Sequence, residues 1–271
     1  MNKINVSHEI PISYLEKSKS FNDYDYCLVH LTYERPEYQA FYEQSLREGR
    51  KVLLDNSLFE LETMFDAEKF VEKIREINSI NSSNFEFVVP DALHEMEATI
   101  NSFESFKNRF TNLPGKSIGV VQGTTVKEMI ECYKYMSKYA DKIAIPFDSK
   151  AFEELYPSND KLESWCEGRQ AFISTLVKRD IWNNNKPHHL LGCSYAKEFK
   201  YKLYNLISIE SIDTSNPVVA GIKGLRYGAD GLKEKPSIKL CDLIDYQISD
   251  KEASLIDYNV AKFKKIVNEK S

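Results

Sequence analysis

The chain has 271 residues and only five cysteines; Cys27, Cys132, Cys166, Cys193 and Cys241 lie far apart and never form a Cys-x-x-Cys pair. An odd, scattered set argues for reduced thiols and against a local zinc knuckle. A distant Cys/His combination through His188 or His189 stays open on this pattern. Long apolar runs are also missing: none approaches the ~20 residues needed to cross a bilayer, and the N-terminal stretch lacks a signal-peptide core. No membrane partner is expected, and a cytoplasmic location is the default. Neither low-complexity tracts nor internal repeats are present, which sets solenoids aside.

A marked excess of one charge is absent as well. The formal net charge is -5, which gives no global sign of nucleic-acid binding, but its distribution is uneven. Residues 161–271 carry 18 Lys+Arg against 14 Asp+Glu, whereas the remainder carries 18 against 27. The basic excess lies in the half that contains Asp213. A phosphate backbone could be held there, through Lys197, Lys200, Lys202, Lys223 and Arg226, while the other half repels it. Alternatively these cations, with Lys233 and Lys235, are ordinary solvated faces.

What is present is an alternation of strand and helix patterns. Strand-like runs fall at 27–32, 51–55, 85–90, 117–122, 142–146, 188–192 and 208–212, several of them continuously apolar, as for parallel strands covered on both faces. Between them, Asp66 can cap a helix that places Phe70, Val71, Ile74 and Ile77 on one face. Thr124 or Thr125 can cap another over 126–139, and further helices are expected at 94–110, 161–182 and 196–206. This βα alternation predicts a parallel α/β sheet, either a (β/α)8 barrel or an open doubly wound sheet. A length near the roughly 250 residues of a complete barrel favours the TIM-like barrel as a single domain over 1–271. Its core is expected at about 20–245, with a C-terminal helical extension at about 250–270. The eighth strand is either 218–222 or 238–243.

Several of these strands end on a polar group. Asp55, Asp91, Gln122 and Asp213 would converge at the carboxyl-end mouth of one sheet, where barrel enzymes build their sites. Carboxylates accept N–H bonds from an amidine-like edge, and a carboxamide both donates and accepts, so the set suits a heterocycle with several N–H and C=O groups. One carboxylate could attack an anomeric carbon while another moves a proton to the departing base. Each residue also has a plainer reading: Asp55-Asn56-Ser57 as a turn, Pro90-Asp91 as a helix entry, Gln122-Gly123 as a loop, and Asp213 as a turn former or cap.

Over roughly residues 51–217 the chain resembles the tRNA-guanine transglycosylases, and more closely the related phage and bacterial enzymes that insert 7-deazaguanines into DNA. Asp55-Asn56-Ser57-Leu58-Phe59-Glu60 is similar to the family's Asp-Ser-Gly-Gly-Tyr/Phe-Gln segment. That implies Asp55 as the acid/base on the exchanged base and Phe59 as its stacking platform. Asp91 resembles the base-reading Asp in context, and Val121-Gln122-Gly123-Thr124 matches Val-Gln-Gly-Gly, which implies contacts from Gln122 and Gly123. His189-Leu190-Leu191-Gly192 resembles Tyr-Leu-Met-Gly, so Leu191 and Gly192 would border the other face of the base. The family's Phe-Asp-Cys-Val-x-Pro nucleophile falls on Asp213, with Pro217 at the matching distance.

The departures are equally specific. The family's three-cysteine-and-histidine zinc motif is absent, so no zinc or other cofactor is expected. Ile145-Pro146-Phe147 stands where the family has a Gly-Gly that contacts the base, and a proline offers no N–H. Val218-Val219 replaces an Arg that follows the nucleophile segment in the tRNA enzymes. The resemblance therefore implies a guanine transglycosylase acting on DNA rather than tRNA, with a 7-deazaguanine such as 7-cyano-7-deazaguanine as the incoming base. A carboxylate-dependent glycoside hydrolase and a non-catalytic nucleic-acid binder remain the alternatives, and the sequence leaves the oligomeric state open.

Overall fold

The computed structural model describes residues 3–78, 80–232, 236 and 238–269; Lys233 and Lys235 lie outside the described residues. Eight parallel strands form a nearly closed TIM-like barrel: β1 (Asn5–His8), β2 (Asp25–Leu28), β3 (Val52–Asp55), β4 (Phe85–Val88), β5 (Lys116–Val120), β6 (Lys142–Ile145), β7 (His188–Leu190) and β8 (Ile209–Thr214). From β2 to β8 each strand pairs with its sequence neighbours, and β1 pairs with β8, Ser7 standing opposite Asp213. The remaining seam, between β1 and β2, has no ladder. It is closed instead by backbone and side-chain bonds: Asp23 N–H donates to Val6 O (2.9 Å), Val6 N–H to Asp23 Oδ2 (3.0 Å) and Tyr26 N–H to Ser7 Oγ (3.2 Å).

The missing eighth strand is therefore β1, and neither expected segment supplies it. Residues 218–222 belong to a helix, Asn216–Ile222, started by Pro217 in its first turn, where a missing N–H costs nothing. Residues 240–243 form a 3₁₀ turn. β1 reads as NVSH, four residues of which three are polar, too short for a periodic signal; its burial comes from Ser7 and His8 meeting partners across the seam. The packed core consequently begins at Ile4 rather than at about residue 20.

Other boundaries shift for local reasons. The run at 27–32 is a strand only to Leu28 and then turns into helix Val29–Glu34. The helix expected at 196–206 is two 3₁₀ turns, Ala196–Lys200 and Lys202–Asn205. Helix Ala67–Asn78 forms with Asp66 accepting Lys69 N–H at 2.9 Å and with Phe70, Val71, Ile74 and Ile77 buried. Helix Val126–Tyr139 is closed by a reciprocal capping box between Thr125 and Glu128. The C-terminal helix Asp250–Asn268 packs on Asn216–Ile222, and at Gly221 a Cβ would come within 2.5 Å of Ile256 Cγ1. No helix among the described residues is long and apolar enough to cross a membrane.

Two buried charge sets hold the barrel in register. Inside the barrel, Lys142 Nζ reaches Glu86 (2.6 Å), Glu210 (3.0 Å) and Ser211 Oγ (3.3 Å), and Lys51 reaches Glu86 (3.0 Å) and Glu210 (2.6 Å). Two cations facing two anions keep this set neutral, and losing any one member would leave an uncompensated charge. Outside it, Arg169 on helix Lys161–Lys178 forms a two-point bond with Glu198 (2.8 and 2.7 Å) and donates to Leu191 O (2.8 Å). That fork fixes the loop after β7, which borders the barrel mouth.

Candidate active site

Asp213 lies within β8, one residue from its end, rather than in the turn that follows. It caps nothing. Its Oδ1 accepts from His189 Nε2 and from Gly192 N–H, both at 3.0 Å, and its Oδ2 receives only the longer limb of the same Gly192 N–H, at 3.2 Å. Gly192 adopts φ +59, a conformation glycine tolerates, and this aims its N–H inward. His189 sits on β7 yet stacks on the Tyr26 ring of β2 (centroids 6.3 Å, 18°), so the contact crosses the interior. His188, its neighbour, is engaged elsewhere, by Tyr133 Oη at 2.8 Å and a Trp182 ring at 3.7 Å. Burial drives the His188 imidazole down to about 3.

Across the barrel, Asp55 ends β3. Asp55-Asn56-Ser57 does form the turn: Asp55 Oδ2 accepts Ser57 N–H (2.7 Å), Asn56 Oδ1 accepts Leu58 N–H (3.0 Å), and Ser57 is left-handed at φ +59. The same residues nonetheless remain part of the site. Burial pushes the Asp55 carboxyl well above the usual range, reinforced by Glu60 and Asp213, while bonds from Ser57 N–H and the Tyr26 phenol oppose the rise. Burial thus favours the protonated form of this carboxyl.

Glu60 is the member sequence reasoning missed. It lies on the one-turn helix Leu58–Leu61, its Oε2 is buried with no hydrogen-bond partner among the described residues, and burial followed by the Asp213 charge pushes it up to about 7 against the pull of Lys239. No periodic signal separates a buried Glu from a solvated one in so short a helix. Three carboxyls thus influence one another at the mouth, and the two on the β3 side favour the protonated form.

A second cluster joins the ends of β3, β4 and β5. Asp91 Oδ1 accepts from Asn56 Nδ2 (2.7 Å), and its Oδ2 accepts from Gln122 Nε2 (2.8 Å). Gln122 Oε1 in turn accepts His94 N–H at 3.0 Å. Burial raises the Asp91 carboxyl, and the two amide donors partly offset this. Asp91 is not a helix cap, because the next helix begins only at Met96. One Gln122 N–H and spare carboxylate lone pairs are left for a ligand. Asn56 is a further missed member, visible only once the ends of β3 and β4 are adjacent.

The remaining expected residues divide. Phe59 stands at the rim with 51% of its surface exposed, the Lys239 ammonium 5.0 Å from its ring. Leu191 is half-buried, its N–H bound to Ile145 O at 3.0 Å. Gly123 meets a different need: a Cβ there would lie 2.8 Å from both Glu128 Cβ and Met129 N, so the glycine lets the loop lie against helix Val126–Tyr139. Phe147, which follows Pro146, is buried with Cys166 and Tyr195, and its Cβ would lie 3.6 Å from a Cβ on Gly192.

Among the cations, Lys197 lies 3.6 Å from Glu163, Lys200 pairs with Asp230, and Lys202 is exposed without a charged partner among the described residues. Lys223 is exposed where helix Asn216–Ile222 ends, and Arg226 lies 3.7 Å over the Tyr258 ring of the C-terminal helix. Lys197, Lys200 and Lys202 lie on the two 3₁₀ turns after β7, the first of which packs on the C-terminal helix, and Lys223 and Arg226 follow helix Asn216–Ile222. On the opposite side, a cleft of about 630 Å³ beside Leu61 is lined by His30, Glu34, Arg35, Asp242 and Asp245, with Arg35 already paired to Asp245 at 2.8 Å. Neither the models of known protein families nor the curated proteins contain a match to this chain, so its chemistry is read from the site itself.

Proposed function

We propose that this protein exchanges guanine in a nucleic acid, DNA in preference to tRNA, for a 7-deazaguanine such as 7-cyano-7-deazaguanine. The observation that carries the reading is the pairing of Asp213, bound by two donors at one oxygen, with Asp55, whose carboxyl burial pushes well above the usual range on the other side of the same interior. Carboxyls with unlike environments divide into nucleophile and acid. Asp213 attacks C1′, the C1′–N9 bond breaks with its electron pair going to N9, and Asp55 delivers a proton to the departing guanine. The resulting glycosyl ester is then attacked by N9 of the incoming base, whose proton returns to Asp55, and the ester bond breaks to restore the Asp213 carboxylate. No metal or nucleotide triphosphate takes part.

Base selection fits the second cluster. Asp91 accepts from the N1–H and 2-amino edge, and the spare Gln122 N–H donates to the base carbonyl. Phe59 and Leu191 cover the two faces, with Gly192 beside them. The target base must be unstacked to reach buried carboxyls, so the enzyme flips it or takes it single-stranded. The acidic cleft near Leu61 disfavours phosphate, which directs the polynucleotide over the Lys197, Lys200 and Lys202 side.

The test incubates the protein with duplex DNA, and separately with tRNA, together with labelled guanine or 7-cyano-7-deazaguanine, and analyses the digested nucleosides by mass spectrometry. Incorporation into DNA that is lost in Asp213→Asn supports the reading. Free guanine without incorporation makes the protein a hydrolase, and no change in any pool leaves a binding protein.

A further inference from the structure

A continuous line of buried polar groups runs from the interior ion cluster to Asp213. Lys142 Nζ lies 3.3 Å from Ser211 Oγ, Ser211 Oγ lies 2.9 Å from His189 Nδ1, and His189 Nε2 lies 3.0 Å from Asp213 Oδ1. Lys142, Ser211, His189 and Asp213 are all buried. The direction of these bonds follows from the donors available. The Asp213 carboxylate only accepts, so the ring proton facing it sits on His189 Nε2. Nδ1 of the singly protonated ring is then an acceptor, filled by the Ser211 O–H, while Ser211 Oγ accepts from the Lys142 ammonium, which can only donate.

We propose that Lys142 and Ser211 form a one-way relay that fixes His189 as the Nε2–H tautomer, making His189 a positioning residue that holds Oδ1 of Asp213 and leaves Oδ2 to react. Every group facing the imidazole agrees with this polarity. The Tyr26 ring stacks on it and the Tyr24 ring meets its edge, neither offering an acceptor to Nδ1. The Tyr24 hydroxyl is committed to Ile212 O at 2.7 Å and the Tyr26 hydroxyl to Asp55. The charges beyond, Lys51, Glu86 and Glu210, are paired within the ion cluster.

The consequence for exchange rests on Asp213 being the nucleophile proposed above. When the C1′–Oδ2 bond breaks in the second half of the reaction, the electron pair returns to the carboxylate, and His189 Nε2–H and Gly192 N–H are already in place to receive that charge. Without His189 the glycosyl ester would be a poorer leaving group. The covalent complex would then accumulate.

The structural claim is tested without any activity, by long-range ¹H–¹⁵N correlation on histidine-labelled protein, with the His189 signals assigned from His189→Gln. A protonated Nε2 and a pyridine-type Nδ1 are expected, and Nδ1 should move downfield in Ser211→Ala as its donor is lost. A protonated Nδ1 in the unmodified protein, or an Nδ1 shift indifferent to Ser211→Ala, overturns the relay. Turnover is the second readout: His189→Leu should lose roughly ten- to a hundredfold, the scale of a charge-assisted hydrogen bond, with trapped glycosyl-enzyme, and His189→Gln should recover part of the loss. Turnover of His189→Leu equal to that of the unmodified protein overturns the positioning role. A correct tautomer with no covalent adduct in any variant points instead to failure of the transglycosylase reading.

Discussion

Gln122 Nε2 donates to Asp91 Oδ2 across 2.8 Å, tying the loop after β5 to the loop after β4 inside the barrel mouth. Asp91 is also the acceptor for Asn56, so two amides depend on one carboxylate. Replacing Asp91 by Ala would strand the Gln122 N–H at a cost of about 1–3 kcal/mol and leave Asn56 Nδ2 only its 3.2 Å bond to Val89 O. Asp91→Ala is expected to lower the urea midpoint and abolish guanine binding by calorimetry. Asp91→Asn should keep most of the stability while still losing the base, because it keeps an oxygen but adds a competing donor. Full guanine affinity in Asp91→Asn would remove Asp91 from base recognition.

Asp213→Asn keeps the volume of the side chain and an acceptor oxygen for His189 and Gly192, so the fold should survive. Exchange should fall by roughly a thousandfold or more, the scale seen when a nucleophile is removed. Labelled-guanine incorporation measures it directly. Incorporation at the unmodified rate would take the nucleophile role from Asp213.

Much of the barrel was legible because parallel strands covered on both faces leave continuous apolar runs, as in Leu53-Leu54 or Ile143-Ala144-Ile145. β1 was not, since three of the four residues Asn5–His8 are polar and the strand is held as much by side chains of Asn22 and Asp23 as by a ladder. At the site, strand-end position exposed Asp55, Asp91, Gln122 and Asp213 in the sequence. Asn56, Glu60 and His189 gained their places only when distant segments met. Asn56 looks like a turn residue and is one, and it also bridges to Asp91 through its free amide. Spacing alone cannot reveal such double duty.

Glu60 makes stability depend on pH in a defined direction. Its folded-state value of about 7 exceeds the ordinary 4.5, so the native protein binds the proton more tightly than the unfolded chain does. That contribution is fully present below about pH 4.5 and is lost as pH rises through 7, by roughly 3 kcal/mol. Asp55 shifts the same way and adds to the slope. The buried imidazoles of His8 and His188, held at about 4 and about 3, act in the opposite sense between pH 5 and pH 8, so the test is the difference from Glu60→Gln, which should lose less stability in urea on going from pH 5 to pH 8 than the unmodified protein. An identical pH dependence in Glu60→Gln would show that Glu60 ionises in the folded protein as it does in the unfolded chain.

Phe59 is half exposed, so removing its ring should leave folding nearly unchanged. If it stacks on the exchanged base, Phe59→Ala should weaken base affinity by about 1–3 kcal/mol, as for aromatic platforms that bind single strands. Binding of free guanine by calorimetry gives the answer, with thermal melting as the control. Unchanged affinity would assign the ring to the rim alone.

The basic residues after β7 are separable from Arg226 by salt dependence. Lys202 has no charged partner among the described residues, whereas Lys197 and Lys200 must leave Glu163 and Asp230 before meeting a phosphate. Each cation that does so contributes up to about 0.9 to the slope of log affinity against log salt. A Lys197/Lys200/Lys202 triple Ala variant should therefore bind DNA more weakly with a flatter slope. Arg226→Ala should instead lose its contact with the Tyr258 ring, worth about 0.5–1 kcal/mol of stability, and leave the slope as it was. A triple variant with the original slope, or an Arg226→Ala variant with a reduced one, would move the polynucleotide path toward Arg226.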